Sequence, residues 1–337
     1  MKRPFAYIAG TGHAVPKRAV TNLDLQAQGL DTDDAWIFDR TGIRQRYIAD
    51  STETLTVLSV AAAKIAMQRA NIQPGDIDVV IVGTATPDHL LPATAVEVQA
   101  VLGASRAMAF DVSAACSGWL YGMQVAEGLI ATGMAETVLV VGGEILSSIV
   151  DWTDRNTCVL FGDGAGATIL RHVRTAPKAM PPRDRGILSS YSRSDGTLRN
   201  LLWRPSGGVA APFSEAVLKE RSQFVQMQGR EVFKHAVRSM ADASQRALDL
   251  AKLTGNDIDL LIPHQANVRI IEATAKLAGI PMEKVFLNVD KYANTSAGSI
   301  PIALDNAMAQ GRITEGSTVM FVAFGAGFTW GSLLVRF

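Results

Sequence analysis

The chain has 337 residues, 48% hydrophobic and 19% charged, with 32 basic and 32 acidic side chains. A chain of this length makes one large domain or two and buries about three quarters of its unfolded surface. The balanced charge removes any bulk attraction to nucleic acid or to an anionic membrane, and two cysteines exclude a disulfide framework. The start, Met1-Lys-Arg-Pro-Phe-Ala-Tyr-Ile8, lacks the apolar run of a secretory signal. No segment approaches the ~18 uninterrupted apolar residues of a membrane span. With only two cysteines, the expected location is the reducing cytoplasm.

In chain order, Tyr7-Ile-Ala9 reads as a strand that leaves through Gly10-Thr-Gly12. Residues 33–40 form a short helix opened by acidic side chains, followed by the basic residues Arg40, Arg44 and Arg46. An Ala-rich helix over 55–71 precedes the strand Val79-Val-Ile-Val82, the loop 83–92 and a helix over 94–102. Residues 107–112 read as a short buried strand. Beyond them Leu120, Met123, Ala126, Leu129 and Ile130 recur at helical spacing. Cys116 therefore lies at a strand-to-helix turn among small neighbours, with Ser113 and Ser117 as candidate caps. A helix N-terminus favours a thiolate, the nucleophilic form, and small neighbours let a carbonyl approach. The competing reading is a buried structural cysteine. Further buried strands are expected at 137–141 and 165–170, and an irregular region over 172–224.

The first half then recurs. Asn256-Asp-Ile-Asp-Leu-Leu-Ile262 echoes Gly75-Asp-Ile-Asp-Val-Val-Ile81, and Thr318-Val-Met-Phe-Val322 echoes Thr137-Val-Leu-Val-Val141, both at an offset of 181 positions. The same offset sets Ala297 opposite Cys116. Two similar α/β halves are expected, 1–172 and 173–337, each with a parallel-rich sheet covered by helices. Packed back to back, they would turn Cys116 toward the loops of the second half. There His264 follows the strand Leu260-Leu-Ile262, at the carboxyl end where open α/β folds place chemistry. Asn294 precedes an apolar helix, where an N-cap is the plainer reading. Phe324-Gly-Ala-Gly-Phe328 is a glycine-rich loop after a strand, and its N–H groups suit an oxyanion hole.

Seven motifs in order resemble one family. They are Asp33-Asp-Ala-Trp-Ile37 with Arg40-Thr-Gly-Ile-Arg44; Ala114-Ala-Cys-Ser-Gly118; Asp151-Trp-Thr-Asp-Arg155; Phe161-Gly-Asp-Gly-Ala-Gly166; Pro263-His-Gln-Ala-Asn267; Asn294-Thr-Ser-Ala297; and Phe324-Gly-Ala-Gly-Phe-Thr-Trp-Gly331. The set resembles β-ketoacyl-acyl-carrier-protein synthase III, a condensing enzyme of the thiolase superfamily. The resemblance implies a duplicated five-layer αβαβα sandwich. It implies Cys116 as acyl acceptor, with His264 and Asn294 completing a triad, and an oxyanion hole from Cys116, Gly325, Ala326 and Gly327. It assigns Trp36, Arg40, Arg155 and Asn267 to coenzyme A, and Lys234, Arg269 and Lys276 to a rim that receives acyl carrier protein. Leu91 stands where an aromatic from a neighbouring subunit lines the primer pocket, which implies a homodimer.

The implied reaction joins an acyl-CoA primer to malonyl-acyl carrier protein with loss of carbon dioxide and begins fatty acid synthesis. No metal or redox cofactor is implied, and no nucleic acid or membrane partner. Two departures stand out: Ala326 interrupts the usual three glycines, and Ala293 replaces the glycine before Asn294. A thiolase would need a second cysteine in the C-terminal glycine loop, and an elongating synthase a histidine at 294. A specialised relative that primes polyketide or signal-molecule synthesis keeps the same Cys, His and Asn. A silent homologue that only binds acyl carrier protein is the non-enzyme reading. A dinucleotide-binding protein would need the full glycine fingerprint, which neither Gly10-Thr-Gly12 nor Gly162-Asp-Gly-Ala-Gly166 supplies.

Overall fold

The structure is a computed structural model that describes residues 4–176 and 185–337. In chain order the elements are β1 (Ala6–Ala14), β2 (Arg18–Thr21), α1 (Asn22–Ala27), α2 (Asp34–Thr41), β3 (Gln45–Ile48), α3 (Leu55–Ala70), β4 (Val79–Gly83), α4 (Thr94–Leu102), β5 (Met108–Val112), α5 (Gly118–Ala131), β6 (Thr137–Glu144) and β7 (Gly164–His172). There follow β8 (Gly186–Ser194), β9 (Leu202–Trp203), α6 (Glu215–Glu220), β10 (Gln226–Met227), α7 (Gly229–Ala251), β11 (Leu260–Pro263), α8 (Val268–Leu277), α9 (Val289–Tyr292), α10 (Ser299–Ala309), β12 (Thr318–Gly325) and β13 (Thr329–Arg336).

Two sheets carry the fold. The first runs β1-β7-β6-β4-β5 and the second β11-β12-β13-β8. β4 pairs parallel with β5 and β6, β11 pairs parallel with β12, and β7 and β13 run antiparallel to their neighbours. Both faces of each sheet are covered, so successive strand residues feed different cores. On β4, Val79 and Ile81 face the central core, where α5 and α10 contribute Trp119, Leu120, Ile300 and Leu304 between the sheets. Val80 and Val82 face outward to α3 and α4. On the far side, α7 and α8 cover the second sheet through Met240, Ala247 and Ile271. These are the five layers of a thiolase-like sandwich.

Elements recur at the 181-residue offset. β6 and β12 correspond end to end. So do the 3-10 turns Ala115–Ser117 and Ser296–Gly298, and the turns Pro74–Asp76 and Gly255–Asp257. We propose a boundary between the halves at 172/173, because every strand of the first sheet ends by residue 172 and every strand of the second begins after it.

Three sequence expectations change. β1 does not leave at Gly10-Thr-Gly12 but runs through to Ala14. A Cβ at Gly10 would lie 2.2 Å from the Ala66 carbonyl oxygen, and one at Gly12 would lie 2.3 Å from that of Ala62. The glycines are there because α3 packs directly on the strand, which leaves the dinucleotide reading without a loop. The region expected to be irregular contains β8, a nine-residue strand that ends the second sheet, besides α6 and the short β9, which pairs with β10; its residues 177–184 lie outside the described part. Third, β5 is only half-buried and ends its sheet, with Met108 48% exposed. Arg46, grouped with the basic stretch, is fully buried and donates to the Val159 carbonyl and to Asn22 Oδ1. It is a structural residue, as is the buried Cys158.

Gly142 and Gly128 give a paired test of this packing. A Cβ at Gly142 would meet the Ala297 carbonyl oxygen at 2.2 Å, whereas Gly128, exposed within α5, has nothing within 4 Å. Gly142→Ala should destabilise by about 1–3 kcal/mol or more through overpacking. Gly128→Ala should stabilise by about 0.5–1 kcal/mol through helix propensity. Urea unfolding of both variants checks the two signs.

Candidate active site

The turn after β5 puts Ala115 in the left-handed region at φ +48°, immediately before Cys116. α5 starts two residues later. The turn is held by close contact: Gly118 packs on Gly83, whose own Cβ would sit 2.4 Å from the Gly118 carbonyl carbon. Neither candidate serine caps α5. Ser117 Oγ donates to the Thr329 carbonyl instead, and no side-chain cap occupies the first turn. The N-terminal N–H groups of this helix thus keep their partial positive charge available.

Easy ionisation of the thiol, expected from that position, is opposed by its surroundings. Burial pushes Cys116 up to about 12, and the Glu144 carboxylate acts in the same direction against the Ser296 hydroxyl. In the free protein Cys116 is a thiol.

His264 follows β11 and is 3% exposed, its N–H donating to the Val322 carbonyl. Its Nδ1 lies 2.6 Å from Ser299 Oγ, which also accepts the Gln265 N–H at 3.3 Å. Ser299 Oγ has one proton and two lone pairs, so it can take the Gln265 N–H and still face Nδ1 as donor or as acceptor. With Ser299 donating, the ring is the Nε2–H tautomer and offers a donor at its free edge. Burial lowers the imidazole to about 3, and the ring is neutral at ordinary pH.

Asn294 is fixed by its backbone, which donates to the Leu160 carbonyl and accepts from Gly162. Its Oδ1 accepts the Ser296 N–H at 2.8 Å, so the amide presents Nδ2–H as its free donor. The residue before it, Ala293, has φ +55° and ψ −158°, a region that only glycine enters freely. Alanine there carries a strain of about 1–3 kcal/mol. Ala326 carries no such cost. Its φ is not positive, whereas Gly327 stands at +135°. A Cβ at Gly325 would lie 2.7 Å from the Cys116 nitrogen. The alanine occupies the one position of the three that tolerates a side chain.

Cys116, His264 and Asn294 line one apolar cavity of ≈170 Å³, together with Phe324, Met227 and Phe233. A second cavity, ≈130 Å³, touches Cys116 from another side and is lined by Ser296, Ala326, Leu146, Ile149 and Val225. The larger cavity reaches Asn267, whose Nδ2 donates to the Arg40 carbonyl while its Oδ1 caps α8 through the Arg269 N–H. On the neighbouring α2, the Trp36 ring lies 4.4 Å from the Arg40 guanidinium and 5.2 Å from that of Arg155, which also pairs with Asp31 at 2.8 Å. Lys234, Arg269 and Lys276 are exposed on α7 and α8, and Lys234 adjoins Phe233 of the cavity. Leu91 is not brought to either cavity; it is 88% exposed on the loop before α4. The sequence reading missed Ser296, Ser299 and Glu144. The signal for Glu144 was an acidic residue ending the otherwise apolar strand β6.

Two family models match the chain: 3-oxoacyl-acyl-carrier-protein (ACP) synthase III over residues 110–196, and its C-terminal model over 248–337. A β-ketoacyl-acyl-carrier-protein synthase III of Roseiflexus castenholzii is 49% identical over 332 residues, 98% of each chain. A solved structure of a 3-oxoacyl-acyl-carrier-protein synthase III from Aquifex aeolicus superposes with a TM-score of 0.89 at 43% identity, covering 98% of this chain and 100% of that one. A priming β-ketosynthase from the R1128 polyketide pathway superposes at 0.88 with 33% identity, covering 99% and 96%.

The state of His264 is measurable. Because its folded pKa lies below the unfolded value, stability is kept above that ordinary value and lost as the pH falls below it toward about 3. Its ¹⁵N resonances should report a neutral Nε2–H ring at every pH above about 4. An imidazolium signal near neutral pH would contradict the assignment.

Proposed function

This chain belongs to the 3-oxoacyl-acyl-carrier-protein synthase III family, and from that premise we propose that Cys116, His264 and Asn294 carry its condensation of an acyl-CoA with malonyl-acyl carrier protein. The observation that carries the assignment is the convergence of three distant segments, bearing a thiol, an imidazole and a carboxamide, on one cavity.

In the first half-reaction Cys116 attacks the thioester carbonyl of the primer. The N–H of Cys116 and the 325–327 loop receive the oxyanion, coenzyme A departs, and the acyl group rests on sulfur. The small apolar cavity beside Ser296 and Ile149 suits the acyl chain. In the second, malonyl-acyl carrier protein enters the larger cavity. His264 Nε2–H and Asn294 Nδ2–H hold its thioester oxygen while carbon dioxide leaves and charge grows there. The enolate carbon then attacks the acyl-cysteine and gives a β-ketoacyl product. No step calls for a metal or a redox cofactor.

The indole of Trp36, flanked by Arg40 and Arg155, suits the adenine and phosphates of coenzyme A, with the base replacing a guanidinium on the ring face. Asn267 serves by holding Arg40 and the mouth of the cavity in register. Lys234, Arg269 and Lys276 form the basic rim for acidic acyl carrier protein. Two free cysteines fit a cytoplasmic setting. The greater likeness to fatty acid synthases than to the polyketide enzyme favours initiation of fatty acid synthesis over a specialised priming role.

The first sheet's edge supports a homodimer. β5 leaves one side unpaired, with Met108 outward, and Leu90 and Leu91 protrude before α4. Edges of this kind are normally covered, and pairing two copies there would deliver each Leu91 loop to its neighbour. Sedimentation should give twice the chain mass; a lone chain at micromolar concentration would refute it.

Cys116→Ala should keep the fold and abolish acylation by any acyl-CoA, read by intact mass. Asn294→Ala should leave acylation nearly unchanged and slow malonyl decarboxylation about a hundredfold, the usual cost of one oxyanion donor. Equal loss in both half-reactions would contradict the division of labour.

A further inference from the structure

Attack by Cys116 requires its proton to go somewhere, and the obvious acceptor is a poor one. Burial lowers the His264 imidazole to about 3, and its Nδ1 edge already faces Ser299. Asn294 is no base. The remaining candidate is Glu144, at the end of β6, 0% exposed. Thr84 Oγ1, the Ala85 N–H and Thr86 Oγ1 donate to it, and Ser296 Oγ donates to its Oε1 at 3.1 Å. Ser296 lines the smaller cavity together with Cys116. A hydroxyl has one proton to give. With its proton given to Glu144, Ser296 Oγ presents a lone pair to the cavity it shares with Cys116.

We propose that Glu144 is the proton acceptor for Cys116, acting through Ser296. The inference rests on the condensing-enzyme reading above. As sulfur attacks the thioester carbon, the thiol proton passes to Ser296 Oγ, and the Ser296 proton passes to Glu144 Oε1. The new S–C bond forms, the bond to the sulfur of coenzyme A breaks, and the departing thiolate takes a proton back along the same path. Atoms and charge balance with no further reactant. Ser296 shares the cavity wall with Cys116, and Glu144 acts through it as a relay residue.

The surroundings suit the task. Burial raises the Glu144 carboxyl above the usual range, and the hydrogen bonds it accepts oppose that shift, so the group can hold a proton closer to neutral pH. The groups facing it are Thr84, Ala85 and Thr86 from the loop after β4 and Ser296 from the turn before α10. Cys116 lies beyond Ser296, with no cation in the cluster among the described residues. Ser296 is fixed for this purpose in the left-handed region, φ +47°, by its N–H bond to Asn294. A purely structural carboxylate would tie the same loops, but it would also place a negative charge beside a nucleophile that must become an anion. The relay makes that placement productive.

The two roles give opposite results. Single-turnover acylation of Cys116 by an acyl-CoA, followed by intact mass across pH, would be measured for the wild type, Glu144→Gln and Ser296→Ala. The relay requires both variants to slow about a hundredfold near neutral pH, the lower end of general-base assistance, and to accelerate in proportion to hydroxide where the wild type is flat. A charge acting only through space would make Glu144→Gln faster near neutral pH. That result, or a variant profile with the wild-type shape, overturns the proposal. Should both variants fail to fold, a proton inventory on the wild type decides: two protons in flight give a curved dependence on deuterium content, and a linear one overturns the relay. A wild type that forms no acyl-Cys116 would sink the condensing-enzyme reading and the relay together. Normal wild-type acylation with unaffected variants sinks the relay alone.

Discussion

Two strand-to-helix turns meet backbone to backbone at the centre of this molecule, and nearly everything else is arranged to permit it. A Cβ on Gly83 would strike Gly118, one on Gly142 would strike Ala297, and one on Gly298 would strike the Gly164 carbonyl oxygen. Side chains at these points would hold the 3-10 turns Ala115–Ser117 and Ser296–Gly298 apart. Without them, α5 and α10 lie together between the sheets, and their N-terminal ends share one small volume. Close packing of this kind transmits position faithfully, because a dense interior has no slack to absorb a shift.

Duplication makes the two turns equivalent, and chemistry makes them different. Cys116 faces Ala297 at the same place in the repeat, so only one half carries a sulfur. His264 occupies the position of Gly83, and Ser299 that of Gly118. Where the first half closes its turn by backbone contact, the second half inserts an imidazole and the hydroxyl that faces its Nδ1. Glu144 and Gly325 are likewise equivalent. One places a carboxylate near Cys116, and the other removes a side chain so that a loop can lie against the Cys116 nitrogen. The proposed active site is thus a single symmetric contact in which each half has been altered at the positions the other leaves bare.

The electrostatics follow from the same enclosure. Burial holds the thiol protonated, the imidazole neutral and the Glu144 carboxyl above its usual range. Each shift disfavours a standing charge, and none prevents charge from appearing transiently where fixed donors wait for it. A neutral resting site also tolerates an apolar acyl chain, which a site of exposed ions would not.

The sequence by itself determined the repeat, the strand-to-helix position of Cys116, the strand end bearing His264 and the ordered motifs of the family, because all of these are local patterns of burial and turn chemistry. It misjudged features whose cause lies elsewhere in the chain. Gly10 and Gly12 read as a loop because the helix that packs on them is 50 residues away in sequence. β8 was hidden in a region rich in turn formers, since a strand added by antiparallel pairing to β13 needs little intrinsic preference. The ionisation of Cys116, the Nδ1 partner of His264 and the bond from Ser296 to Glu144 were decided only by tertiary structure. Each depends on which groups are enclosed together and which lone pairs are already taken, and neither enclosure nor occupancy has a signature along the chain.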